Sequence, residues 1–207
     1  MGPREALSKA VAIRRELGWR VLFWRILGFL GFRRVVLFRR GIEATARIQP
    51  PEEPVEFGRL QREALGDYLD FRPDADPSDL EERFEAGDAC HVARTNGRIV
   101  AARWSSTREV SIGYLGHRSE LPPGEAYLYD AYTTPAFRRR GIAVALSRHI
   151  FMLLHGQGVR NMLSAADPAN PAGSGFNRST GAPVATLIAL GRRHRRVLTL
   201  GPPRAGR

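Results

Sequence analysis

The chemistry of this chain gathers in one stretch, Tyr127-Leu-Tyr-Asp-Ala-Tyr-Thr-Thr-Pro-Ala-Phe-Arg-Arg-Arg-Gly-Ile-Ala143. It sets one carboxylate, three phenols and three guanidiniums around a single glycine. Planar guanidinium forks suit phosphate. A glycine without a Cβ lets a ligand approach the backbone closely. If a helix begins at this point, its first N–H groups lack internal partners and its dipole adds partial positive charge. Together these features favour an anion, and a diphosphate is the natural occupant. The competing reading is a basic, solvated helix start.

The flanking elements fit that placement. Tyr127 to Thr133 are mostly aromatic or β-branched, which suits a strand. Pro135 cannot continue a central ladder, so the strand stops before it. From Arg138 to about Leu154, apolar Ile142, Ala145, Leu146, Ile150 and Leu154 recur at helical spacing. On an unbroken strand Asp130 and Tyr132 share a face while Tyr127 and Tyr129 point the other way. A bulge would disturb that parity.

Around this unit the expected order is ββ…β–α–β–α–ββ, a mixed sheet with helices on its faces. Val55–Leu60 reads as a strand and Gln61–Phe71 as a short helix. Asp76-Pro77 opens a second helix, with Asp as N-cap and Pro at the first position, ending near Gly87. Asn96-Gly97 between Ala89–Arg94 and Arg98–Ser106 signals a type I′ hairpin. Val110–Tyr114 and Val159–Ala165 read as strands. Residues 184–190 and 196–200 read as a terminal hairpin.

The 207 residues suffice for one domain with an appendage, and 43% hydrophobic content marks a globular chain. The single Cys90 excludes an intramolecular disulfide, fits a reducing compartment, and reads as a core residue. The net charge of +11 is unevenly spread. Residues 1–50 hold 11 basic and 3 acidic residues, and residues 192–207 hold 6 basic and none acidic. The middle is net −3. Such ends attract phosphate, acidic lipid or an acidic partner. The five histidines do not cluster, so a metal is disfavoured. Nucleic acid is disfavoured as well, because the basic ends lack an interleaved aromatic–basic surface.

Residues 1–50 form a basic, apolar N-terminal helical extension, and 51–207 form the main domain, with Pro50, Pro51 and Pro54 between them. Residues 3–17 read as a helix ended by Gly18. Residues 19–32 are strongly apolar, but Arg20 and Arg25 interrupt them and they are too short to span a bilayer. The pattern of a cleaved export signal is lacking. Two readings stand: a membrane-surface helix with inserted Trp and Phe, or a helix docked on the domain or a second subunit in a homodimer. Val35–Ile42 follows as a strand.

Arg138-x-x-Gly141-x-Ala143 resembles the Gln/Arg-x-x-Gly-x-Gly/Ala signature of the GCN5-related N-acetyltransferases. A second block, Asn170-Pro-Ala-Gly-Ser-Gly-Phe-Asn-Arg-Ser-Thr-Gly181, resembles that family's later helix. There Asn170, Gly173 and Gly181 match the spacing, and Asn177 stands where the family carries a Tyr. The resemblance covers about three-quarters of the chain. It implies a mostly antiparallel twisted sheet flanked by helices, with the basic N-terminal helical segment as an addition. It implies acetyl-CoA or another acyl-CoA as cosubstrate and an amine as acceptor, with no metal. It also implies cofactor contacts from Tyr132, Thr133, Arg138, Arg139, Arg140, Gly141, Ile142, Ala143, Asn170, Ser174 and Asn177.

Acyl transfer to an amine requires the amine to be neutral, and an alkylamine has an ordinary pKa of about 10.4, so a base helps. Asp130 is the candidate, directly or through water; the other reading pairs it with an Arg. Asn177 cannot supply a proton to the leaving thiolate. Tyr132 is the candidate acid, with Tyr127, Tyr129 or water as substitutes. The expected function is a cytoplasmic N-acyltransferase, with a peripheral place at the inner membrane surface as a variant. One enzymatic variant transfers a longer acyl chain to a membrane-linked or polysaccharide precursor. The competitor from another class is a non-catalytic acyl-CoA-binding module with a membrane- or partner-docking N-terminus.

Overall fold

Asn96 and Gly97 take φ of 51° and 75°, the left-handed pair that a two-residue hairpin demands. The hairpin they close joins Ala89–Thr95 to Arg98–Ser106. The computed structural model describes residues 11–12, 14–16, 18–41, 51, 54–167, 182–190 and 196–201. In chain order the elements are α1 (Trp19–Phe29), β1 (Phe32–Gly41), β2 (Glu56–Arg59), α2 (Leu65–Phe71), α3 (Pro77–Glu85), β3 (Ala89–Thr95) and β4 (Arg98–Ser106). There follow β5 (Glu109–Ile112), β6 (His117–Glu120), β7 (Glu125–Thr133), α4 (Ile142–His155), β8 (Asn161–Ala166), β9 (Ala182–Leu190) and β10 (Arg196–Leu200). They group into two compact units.

The larger unit holds Arg40–Val110 and Ser119–Leu163. Here β2, β3, β4 and β7 pair antiparallel in that order, with β8 beyond β7. One face is covered by α4. Ile142, Leu146, Ile150, Phe151 and Leu154 of that helix pack on Ala93, Val100, Leu128 and Met162. Helical spacing puts those α4 positions on one stripe, which is what a sheet-covering helix requires. The other face carries α2 and α3, with Leu60, Tyr68, Phe71, Leu80, Cys90, Val92 and Trp104 in one cluster. Cys90 is fully buried within it, and burial pushes its thiol up. It is therefore a core residue and inert as a nucleophile. The start of α3 is fixed by its cap: Asp76 accepts the Ser78 N–H at 2.9 Å.

The smaller unit holds residues 1–39, 111–118 and 164–207. In it β1 pairs antiparallel with β9, and β9 with β10. The expected terminal hairpin is present, and the strand expected at Val35–Ile42 runs from Phe32 to Gly41. Residues 11–12 and 14–16 are helical; the rest of the helix expected over 3–17 lies outside the described residues, as does the boundary expected near residue 50. The sequence does not predict β6, which pairs with β5 in a two-stranded ribbon. His117, Arg118, Ser119 and Glu120 offer no apolar alternation to read.

Candidate active site

The site begins with a register slip. Ala102 of β4 faces Tyr132 of β7, but Trp104 faces Tyr129. One residue, Arg103, therefore opposes two, Asp130 and Ala131. This is a β-bulge, and Asp130 carries its left-handed backbone at φ 45°. The extra residue corrects the face assignment made for an unbroken strand. Tyr129 and Tyr132 both pack against the α2/α3 cluster, and Asp130 turns to the same side.

There the Asp130 carboxylate accepts from Arg72 Nη1 at 2.6 Å and from Arg83 Nη1 at 2.5 Å. Burial pushes its pKa up, but the two guanidiniums outweigh burial and hold it below the usual carboxylate range. The same contacts outweigh burial at Arg72 and Arg83 and raise both. The aromatic rings complete the cluster. Arg83 lies over Trp104 and Tyr129, at 5.1 and 5.4 Å from the ring centres. Arg72 lies 5.3 Å over Tyr132, whose ring meets Phe71 edge-on. The Tyr129 hydroxyl donates to Asp88 at 2.5 Å, and burial and that carboxylate push its pKa up.

Tyr132 links this cluster to the turn after β7, because Arg138 lies 6.0 Å over the same ring. Arg138 Nε also donates to the Thr133 carbonyl at 3.0 Å. Thr134 is tied to Val100 O through both its backbone N–H and its hydroxyl. Pro135–Phe137 make one 3₁₀ turn, and Arg140 lies 5.2 Å over Phe137. Arg139 and Gly141 then take φ of 66° and 78°. Backbone N–H groups at such a turn and at the helix start that follows it suit an anion. The helix expected from Arg138 therefore starts at Ile142, with Gly141 as its N-cap. A Cβ on Gly141 would sit 3.6 Å from the Pro51 backbone, at a φ that resists side chains.

The opposite face, under α4, answers polar groups differently. Arg103 is buried and donates through Nη1 to the Ser147 hydroxyl at 2.7 Å, while its Nε has no partner. Burial pushes its pKa down to about 10. His91 Nε2 and the Ser105 hydroxyl share a 2.9 Å hydrogen bond, and Nδ1 has no partner. Burial, with Arg59 and His149 adding to it, pushes His91 down to about 4.

Residues 57–179 match the model of the acetyltransferase (GNAT) family, more than half of the chain. The chain belongs to that family. A comparison with the curated proteins gives no match. Among solved structures, this chain is similar to a functionally unknown conserved protein from Staphylococcus epidermidis, at 13% identity and a TM-score of 0.54, covering 81% of this chain and 65% of that one. It is similar to a putative GNAT-family acetyltransferase from Novosphingobium aromaticivorans at 13% identity and 0.53, covering 83% and 66%. It is also similar to a glucosamine N-acetyltransferase region of a fungal multi-domain β-N-acetylglucosaminidase at 19% and 0.53, covering 79% and 22%. The chain thus spans less than two-thirds of the length of each of these three. At these identities the likeness shows the shared GNAT fold.

GNAT enzymes use acetyl-CoA, and the turn fits its diphosphate on structural grounds: a Cβ-free residue at positive φ, three consecutive arginines, and a helix N-terminus. Tyr132, Thr133, Arg138, Arg139, Arg140, Gly141, Ile142 and Ala143 lie between the end of β7 and the start of α4. Asn170, Ser174 and Asn177 lie outside the described residues. Arg72, Arg83 and Asp88 are missing from the sequence reading. Arg72 follows α2 and Arg83 sits on α3 beside Phe84, where an Arg on an otherwise polar helix reads as solvated. The one available signal was an acid on a strand, Asp130, in need of cations. Among the described residues, no group of three or more His, Cys, Asp or Glu is placed to hold a metal.

Proposed function

We propose that this chain is an acyl-CoA-dependent N-acyltransferase that moves an acetyl group to an amine, working in the cytoplasm. The observation that carries the reading is the left-handed Arg139 and Gly141 pair opening α4. Coenzyme A would supply an acyl carbonyl activated as a thioester. The N–H groups at the start of α4 and the guanidiniums of Arg138–Arg140 would hold its diphosphate. Tyr132, set between the Arg72 and Arg138 guanidiniums, is the phenol assigned to give a proton to the departing thiolate. Asp130 is assigned a positioning role. With both oxygens engaged and its pKa held low, it is a weak base, and accepting the amine proton would require release of Arg72 or Arg83. Water then carries the amine proton away.

Coenzyme A release should be followed with acetyl-CoA and longer acyl-CoAs against a panel of amines. Glucosamine belongs in the panel because the fungal structure is named for that activity. Turnover supports the enzyme, and chain-length preference identifies the acyl group. Binding without turnover on any amine supports the second reading, an acyl-CoA-binding module, which the fully paired Asp130 carboxylate favours. The Gly141→Asp variant sets a carboxylate against the diphosphate. Calorimetry should then show acetyl-CoA affinity falling at least tenfold, about 1.4 kcal/mol. Unchanged affinity in a folded variant removes the turn from the reading.

A further inference from the structure

In α1 the more apolar side faces solvent. Val21 and Leu22 are buried, yet Trp19, Phe23, Ile26 and Leu30 are 68%, 52%, 47% and 65% exposed. At about 100° per residue these four fall within about 60° of arc, on the side opposite Val21. They form a stripe; Phe29, 67% exposed, lies off it, about 90° round the helix. Exposed Arg20 borders it, exposed Arg25 lies on another side of the helix, and Arg14 lies over the Trp19 ring at 5.7 Å. No acidic residue occurs anywhere in α1. Beside the helix, Trp24, Arg25, Arg33 and Arg34 line a pocket of about 280 Å³ that also takes in Asp167. In it Arg34 lies 5.9 Å over Trp24. Among the described residues, no helix is long and apolar enough to cross a membrane.

We infer that α1 lies flat on an anionic phospholipid bilayer, with the Trp19–Leu30 stripe in the acyl–headgroup boundary and the arginines on lipid phosphates. Charge decides the occupant. An apolar stripe on a helix whose charged residues are all cations complements a negative lipid surface. The 11-residue helix measures about 16 Å, long enough to lie in one leaflet's interface and too short to span. This inference is independent of the acyltransferase reading.

The full chain should be sedimented with phosphatidylcholine vesicles, with and without phosphatidylglycerol, at low and high salt. Binding is expected only with the anionic lipid and should weaken as salt rises. A double variant, Trp19→Ser with Phe23→Ser, should lower partitioning at least about tenfold, on the order of 1.4 kcal/mol. Both residues are exposed, so far-UV circular dichroism and the urea unfolding midpoint should be unchanged. Brominated acyl chains should quench tryptophan fluorescence in the wild type and less so in Trp19→Phe. Equal sedimentation with neutral vesicles, no sedimentation at all, or an unaffected double variant overturns the inference. So does light scattering that shows a dimer without vesicles which the double variant dissolves, because the stripe would then cover a second copy.

Discussion

The two faces of the larger sheet handle buried polarity in opposite ways. Under α2 and α3, charge meets charge: Asp130 holds two guanidiniums, and each member is pushed towards its ionised form. Under α4, charge meets only hydroxyls: Ser147 for Arg103 and Ser105 for His91. There burial dominates and pushes both groups towards neutrality. The first arrangement is costly to break and orients groups that face the turn. The second is a tolerated inclusion in a core whose main task is to seat α4 and so aim its N-terminus.

The largest expected effect tests the paired face. Asp130→Ala leaves two guanidiniums without their anion, and removing one partner of a buried pair costs about 3 kcal/mol or more. Its side chain is 21% exposed, which argues for the lower end. Urea unfolding measures that loss, and Asp130→Asn should retain part of it. If Asp130→Asn keeps full stability yet loses about 10²-fold in turnover, with a shifted pH profile, the carboxylate is the base after all.

His91 tests the other face through pH. Its folded value of about 4 lies below the ordinary value of about 6.5, so the unfolded chain binds more protons between these limits. Stability is then full above about pH 6.5 and falls as pH drops towards 4, by about 3 kcal/mol in all. Asp130 has the same sign but acts only below the ordinary carboxylate range of about 3.9. Unfolding measured at pH 7.5 and 5 should show the fall, and His91→Gln should remove most of it, leaving the smaller contribution of His117 and His149, which burial also pushes down. A slope that persists in the variant moves the effect elsewhere.

The smallest effect is the sharpest contrast. Arg103→Met replaces a buried cation that lacks an anion with an apolar chain of similar length, and should change stability by less than about 1 kcal/mol. The same change at Arg72 should cost clearly more. Equal losses at the two positions would erase the distinction between the faces.

Much of this was legible because the sequence states it locally. Asn96-Gly97 demands left-handed backbone and appears as that turn. Asp76-Pro77 caps a helix, and the apolar period after Arg138-Arg-Arg-Gly141 appears as α4. What could not be read was non-local. The Asp130–Ala131 bulge depends on how β4 and β7 settle against each other, and no residue type marks it, so the face parity of the tyrosines came out wrong. Arg72 and Arg83 lie 58 and 47 residues from Asp130, and nothing in their neighbourhoods distinguishes them from solvated arginines. The early start expected for α4 has a nearer cause: the apolar period is helical from Ile142, but Arg139 and Gly141 are bent into the turn that makes the helix useful.

The pairing of β1 with β9 bears on how the chain is born. Phe32 pairs with Leu190, so β1 waits for about 150 residues before that partner is made, and loop closure over such a span is slow. Until then its edge and the apolar stripe of α1 are both uncovered, a state prone to association. The larger unit, whose strands β2, β3, β4 and β7 follow one another at short range, can close first. Synthesis therefore inverts assembly: β1 is made before the strands of the larger unit and finds its place after them.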